Sequence, residues 1–148
     1  MVRISKLADY AVVVLVRLGG GAIETAPGIA QATGIPEPTV AKVLKALAGA
    51  GLVASQRGAR GGYRLARPLD LISVADVVGA IEGPIALTAC VEASHTACEA
   101  DRCCPVRGRW DPVNAAVREA LEGVTLARLA AYPARPARAP ASSLHQIA

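Results

Sequence analysis

Residues 26–66 read APGIAQATGIPEPTVAKVLKALAGAGLVASQRGARGGYRLA, and this stretch decides the fold. Thr25 stands before it as an N-cap, because a threonine hydroxyl accepts from the free N–H groups of a helix start. A short helix is predicted over residues 26–33, ended by Gly34. Ile35-Pro36-Glu37-Pro38-Thr39 follows, and proline is tolerated in a first helical turn, so another helix begins here. Its apolar face is Val40, Val43, Leu44 and Leu47, with Lys42 and Lys45 opposite and Gly49 and Gly51 closing it. Residues 52–56 and 63–66 then read as strands around a glycine-rich tip, Arg57-Gly58-Ala59-Arg60-Gly61-Gly62. A short helix, a tight turn, a second helix and a two-stranded hairpin, in that order, describe a winged helix-turn-helix.

That arrangement points to double-stranded DNA. A helix fits the major groove, where its N-terminal residues reach base edges, while flanking Lys and Arg meet phosphates. Pro38, Thr39 and Lys42 face the groove in this reading, and Lys45 the backbone. Arg57, Arg60 and Arg64 on the hairpin reach a neighbouring minor groove or phosphates. Ser5 and Lys6, at the start of the first helix, join the set. A solvated helix face would explain Lys42 and Lys45 alone. It does not explain Arg57, Arg60, Gly61, Gly62 and Arg64 together, because a hairpin tip needs at most two glycines and no arginine. The charge is uneven in the same sense: residues 1–70 carry nine Lys/Arg against four Asp/Glu, residues 71–131 five against eight. The polyanion belongs to the first half.

Outward from this unit, Ile4, Leu7, Ala8, Ala11, Leu15 and Leu18 recur at helical spacing, with Ser5 or Ile4 near the helix start and Gly19-Gly20-Gly21 at its end. Pro68 ends the hairpin. Ser73 caps a helix over residues 74–82, with Asp76 in its first turn. Residues 84–105 break the periodicity. A helix over residues 110–122 has Val113, Val117, Ala120 and Leu121 on one face, and a short one follows over residues 126–131. The expected fold is mainly α with a small β-hairpin wing. Its parts are a DNA-binding domain over residues 1–83, a cysteine-rich loop over 84–105, a dimerisation helix with a short successor over 106–131, and a disordered Pro/Ala/Arg tail over 132–148.

Composition narrows the rest. The chain has 148 residues, 53% hydrophobic and 19% charged, which suits one domain with a real core. With no Phe, one Trp, one Met and three Tyr, that core must be Ala, Val, Leu and Ile. The longest apolar run, residues 11–16, falls far short of the roughly 18 residues of a membrane span. The opening MVRISKLADY has no signal-peptide h-region, so a cytoplasmic protein without a membrane partner is expected. An enzyme is not expected: there is no phosphate-binding glycine loop, no Ser-His-Asp set, and only two histidines.

The four cysteines, Cys90, Cys98, Cys103 and Cys104, fall within fifteen residues, with none elsewhere. In a reducing compartment such a group serves metal or redox chemistry rather than disulfides. Structural zinc sites pair cysteines two to four residues apart; the wide gap from Cys90 to Cys98 and the adjacent Cys103-Cys104 suit an iron–sulfur cluster better. A zinc site or a thiol switch is the alternative.

Several segments resemble the Rrf2 family of bacterial winged-helix regulators, which includes IscR, NsrR and RirA types. They are ISKLADYA at residues 4–11, VAKVLKAL at 40–47, GARGGYRLA at 58–66, ISVADVV at 72–78, Ile81-Glu82-Gly83, and the cysteine loop leading into Trp110 and Asn114. The resemblance covers residues 1–131 and is nearest to regulators of iron–sulfur assembly operons of the SUF type. It implies a homodimer whose long helix, residues 106–122, crosses its partner's, so that two recognition helices read a palindromic operator. It implies a [2Fe–2S] or [4Fe–4S] cluster on Cys90, Cys98 and Cys104, with Cys103 an extra thiol. IscR types complete the cluster with a histidine where this chain has Arg107, which cannot ligate. NsrR types use an aspartate from the partner's first helix, the place of Asp9; His95, Glu92, Glu99 and Cys103 are other candidates. The implied function is transcriptional regulation, as a repressor, in response to cluster, iron or redox status or to nitric oxide.

Overall fold

Residues 3–94, 97–100 and 102–136 are described in a computed structural model of the chain. Local chemistry explains where most helices start. The Ser5 hydroxyl accepts from the Ala8 N–H at 3.1 Å and opens α1, Lys6–Leu18. Thr25 does the same for α2, Ala26–Thr33, through the Gly28 N–H at 3.2 Å. Helix α3, Glu37–Gly49, starts behind Pro36 without a side-chain cap. Ser73 and Asp76 cap α4, Val74–Glu82, reciprocally: the Ser73 hydroxyl accepts from the Asp76 N–H, and the Asp76 carboxylate from the Ser73 N–H at 2.8 Å. Thr125 caps α6, Leu126–Ala131.

Strands β1, Val53–Gln56, and β2, Gly62–Leu65, pair antiparallel with Val53 opposite Leu65 and Gln56 opposite Gly62. Each lies one residue from its predicted bounds. The Ala66 N–H still donates to the Leu52 carbonyl, so the ladder runs slightly past the strand ends.

The core forms where α1 packs on α3 and α4, and α2 on α3. Leu15, Leu18, Ile29, Leu44, Leu47, Ile72, Val77 and Leu126 are fully buried. No aromatic residue is among the buried side chains; Tyr10 and Tyr63 pack at the edge. Ala8 and Ala11, both at 0% exposure, let the helices approach closely. Ile4, predicted on this face, lies before α1 and is half exposed, and Val14 takes the inward position instead.

Two long-range ladders complete the frame, and neither is visible in local sequence. Glu24 and Tyr63 exchange backbone hydrogen bonds at 3.0 and 2.7 Å, adding a third short segment to the wing. Ser73 bridges Thr125, so α6 is held against the start of α4.

Helix α5 departs from expectation twice. It spans Asp111–Glu122, about 18 Å at 1.5 Å per residue, and does not reach back to residue 106. Residues 105–110 are turns, and Gly108 has φ +68°, a left-handed conformation that ends helical continuity. Its inward stripe also differs: Val117 and Leu121 are half-buried as predicted, but Val113 and Ala120 are exposed, and the residue that α5 buries is Asn114.

Residues 132–136 of the predicted tail are exposed and without regular structure; residues 137–148 and the candidate His95 lie outside the described residues. Among the described residues no helix is long and apolar enough to cross a membrane.

Candidate nucleic-acid interface and cysteine segment

Pro38, Lys42 and Lys45 recur three to four residues apart on α3 and are all exposed, with Thr39 half-buried beside them. The buried stripe Val40, Val43, Leu44, Leu47 fixes this orientation, because the face that packs on α1 and α2 cannot also meet solvent. Arg57 and Arg60 are exposed at the hairpin tip. Arg64 points outward from β2, between the half-buried Tyr63 and Leu65.

None of these five cations has an ion-pair partner among the described residues. Their charge is therefore free for phosphates, whose neutralisation supplies most of the sequence-independent affinity for DNA. Arg17 differs: its guanidinium Nε lies 2.9 Å from the Glu24 carboxylate, close to the wing's third segment. The glycines of the tip also gain a reason. A Cβ on Gly61 would meet the Gln56 carbonyl oxygen at 2.5 Å, and one on Gly62 would meet the Glu24 carbonyl oxygen at 2.6 Å.

The two N-terminal candidates have local roles. The Ser5 hydroxyl is committed to the α1 cap, and its N–H donates to the Glu82 carboxylate at 3.1 Å. Lys6 lies over the Tyr10 ring at 5.0 Å and 3.8 Å from the Asp9 carboxylate. Both Lys6 and Asp9 are exposed, and an exposed pair of this kind contributes about 0–1 kcal/mol. Asp9 and Lys6 border an open, mostly apolar groove of about 780 Å³ with Ile4, Val12, Val74 and Leu129.

Residues 83–110 form neither helix nor strand where described. All four thiols are free; Cys103 is exposed, and Cys90, Cys98 and Cys104 are intermediate. Cys90 has the most defined surroundings. The Thr88 hydroxyl, 3.4 Å from its sulfur, and then the Gly108 backbone N–H favour the thiolate. Together they hold the thiol below its ordinary range, against burial and the charge of Asp111. Among the described residues no three of His, Cys, Asp and Glu stand close enough to hold a metal ion. Cys90, Cys98 and Cys104 are thus placed on one segment but not gathered, and within one chain neither Asp9, Glu92 nor Glu99 joins them.

Sequence reasoning missed how this segment is held. Asn114 accepts from the Leu87 N–H and donates to the Ile85 carbonyl, both at 2.9 Å, and Asp111 accepts from the Glu92 N–H at 3.0 Å. The available signal was an asparagine in register with Val117 and Leu121 on an otherwise apolar stripe.

Comparison with known proteins decides the family. The Rrf2 profile, described as "Iron-dependent Transcriptional regulator", matches residues 4–132. The chain belongs to the Rrf2 family. CymR of Bacillus subtilis is 32% identical over 133 residues, covering 88% of this chain and 91% of CymR. The putative HTH-type regulator Rv1287 of Mycobacterium tuberculosis is 35% identical over 131 residues, 86% of this chain and 81% of that one. The solved structure of B. subtilis CymR, described as a global cysteine regulator, aligns with a TM-score of 0.67, covering 90% of this chain and all of CymR. T. potens IscR aligns at 28% identity and a TM-score of 0.62, covering 86% of this chain and 85% of IscR. This Rrf2 protein is accordingly a winged-helix transcriptional regulator, not an enzyme.

Proposed function

We propose that this Rrf2 protein is a cytoplasmic homodimeric repressor that reports iron–sulfur cluster, iron or redox status to DNA, and that iron–sulfur assembly genes of the SUF type are its targets. In this reading residues 1–83 bind a palindromic operator, 84–105 sense and 106–131 dimerise. The observation that carries it is the concentration of four free, at least partly exposed thiols in one unpatterned segment between α4 and α5, outside the helices α1 to α3 and the wing.

The donor chemistry fits a cluster: soft thiolates, no competing disulfide, and one thiol already biased towards ionisation. Cys90, Cys98 and Cys104 would hold it, with Asp9 of the partner subunit as the oxygen ligand and Cys103 left over. Because these thiols are not gathered in the single chain, binding requires the segment to close. When bound, a cluster supplies a group that oxidants, nitric oxide and iron shortage can remove. The chain's own residues do the rest. The segment is joined to α5, and α5 packs on α4, which packs on α1 and α3. A change in the segment therefore biases the spacing of two recognition helices in a dimer. Exposed Trp110 just before α5 and Val113 on it, with Ile4 and Leu129 beside the apolar groove, support such a dimer.

A thiol switch without a cluster is the second reading, favoured by the lack of three converging ligands among the described residues. Anaerobic purification with a visible spectrum, iron and acid-labile sulfide per chain separates the two. A brown protein with two or four irons per site supports the cluster. A protein that stays colourless after reconstitution refutes it.

A further inference from the structure

The first turn of α5 presents Asp111 and Asn114 three residues apart, on one side of the helix. An acidic residue here ordinarily serves the N–H groups of its own helix. Asp111 instead takes the Glu92 N–H, nineteen residues back. Asn114 is the one buried polar side chain among the described residues, at 6% exposure. Both of its hydrogen bonds go to backbone 27 and 29 residues earlier. Asparagine is a poorer helix former than leucine or alanine, and a leucine would complete the stripe with Val117 and Leu121. The residue is suited to the segment it holds rather than to the helix that carries it.

These bonds frame Cys90 closely. Only Thr88, Ala89, Cys90 and Val91 lie between Leu87 and Glu92, the two N–H groups that α5 captures. Val91, next to Cys90, is buried, and the Gly108 backbone N–H, in the turn that enters α5, also reaches the Cys90 thiol. Backbone groups outside regular structure need partners, and here the partners sit on one helical turn. We propose that Asn114 and Asp111 are positioning residues that clamp the Cys90 arch to the first turn of α5, so that a change at Cys90 moves the helix rather than only the loop. Two feet on one turn resist slippage, because each hydrogen bond is directional. Ile85 and Leu87 also border a groove of about 250 Å³ with Val117, Leu121 and Glu82, so the foot of the arch packs where α4 and α5 meet.

The inference rests on the sensing role proposed for the cysteine segment, and the test separates the two. The probe is a duplex selected from a randomised pool by the reduced wild-type chain; its affinity is measured before and after N-ethylmaleimide alkylation. The wild type is expected to change affinity about tenfold. In Asn114→Ala and Asp111→Ala the reduced affinity should stay near wild type and the response should fall below twofold. Asp111→Asn, which keeps an acceptor oxygen, should restore it. Hydrogen exchange gives the second readout: Leu87 in Asn114→Ala, and Glu92 in Asp111→Ala, should exchange about tenfold faster, the scale of one lost hydrogen bond. If Asn114→Ala does not fold, the Asp111 pair carries the test alone. A merely structural role would lower both affinities together and leave their ratio intact, which overturns the coupling. A wild type indifferent to alkylation refutes the sensing role instead, and unchanged exchange at both amides overturns the clamp itself.

Discussion

Gly62→Ala should loosen the wing without unfolding the protein. The added Cβ would lie 2.6 Å from the Glu24 carbonyl oxygen, 2.8 Å from its carbonyl carbon and 2.9 Å from Ile23 Cγ2. Two of these are backbone atoms, so the Glu24 segment must move. The backbone pair between Glu24 and Tyr63, at 3.0 and 2.7 Å, then breaks. At a net 0.5–1.5 kcal/mol per hydrogen bond the expected cost is about 1–3 kcal/mol. A domain of ordinary stability, about 5–15 kcal/mol, survives that. With a urea m-value of about 1–3 kcal/mol/M, the unfolding midpoint should fall by roughly 1 M at unchanged m. DNA affinity should fall as well, because Arg57 and Arg60 ride on the hairpin that the bridge holds against the body. A midpoint and an affinity both equal to wild type would refute the claim that the Glu24 bridge positions the wing.

Other substitutions probe other parts of the molecule. Gly79→Ala, in the middle of α4 with nothing within 4 Å of the new Cβ, should raise stability by about 0.5–1 kcal/mol in the same urea assay. Replacing Arg57 and Arg60 by Gln should reduce the slope of log affinity against log salt by about 0.9 for each phosphate that is no longer neutralised; an unchanged slope would remove the wing from the DNA interface. Because Cys90 is held below its ordinary range, its alkylation should reach a plateau at lower pH than that of an unstructured cysteine peptide. Thr88→Val should move that profile upward. The sign follows from linkage: the thiolate's stabilising contribution is full above the ordinary thiol value and is lost as pH falls through the lowered one. A profile unmoved by Thr88→Val would show that the hydroxyl does not set the thiol's acidity.

The exposure of the candidate interface residues on α3 was legible because it follows from a short-range rule. Lys42 and Lys45 must face outward once Val40, Val43, Leu44 and Leu47 face inward, since helical geometry leaves no other choice. The cysteine segment was legible as a place but not as a shape. Four thiols within fifteen residues mark it, yet their separation depends on a chain path without helical or strand periodicity, and the structure does not gather three of them.

Sequence alone determined the starts of α1, α2 and α4, through Ser5, Thr25 and Ser73, because a cap acts across three residues. It also determined the apolar face of α3 and most of that of α1, and where the thiols fall. Tertiary structure decided the rest: that Glu24 extends the wing, that α5 begins only after Gly108, and that a buried asparagine ties the cysteine arch to a helix. Those features depend on partners 27 to 39 residues apart or on a glycine's φ, so they exist only once packing has brought distant backbone together. No local pattern specifies such a meeting, and its hydrogen bonds form only after the core has fixed the distance between their ends.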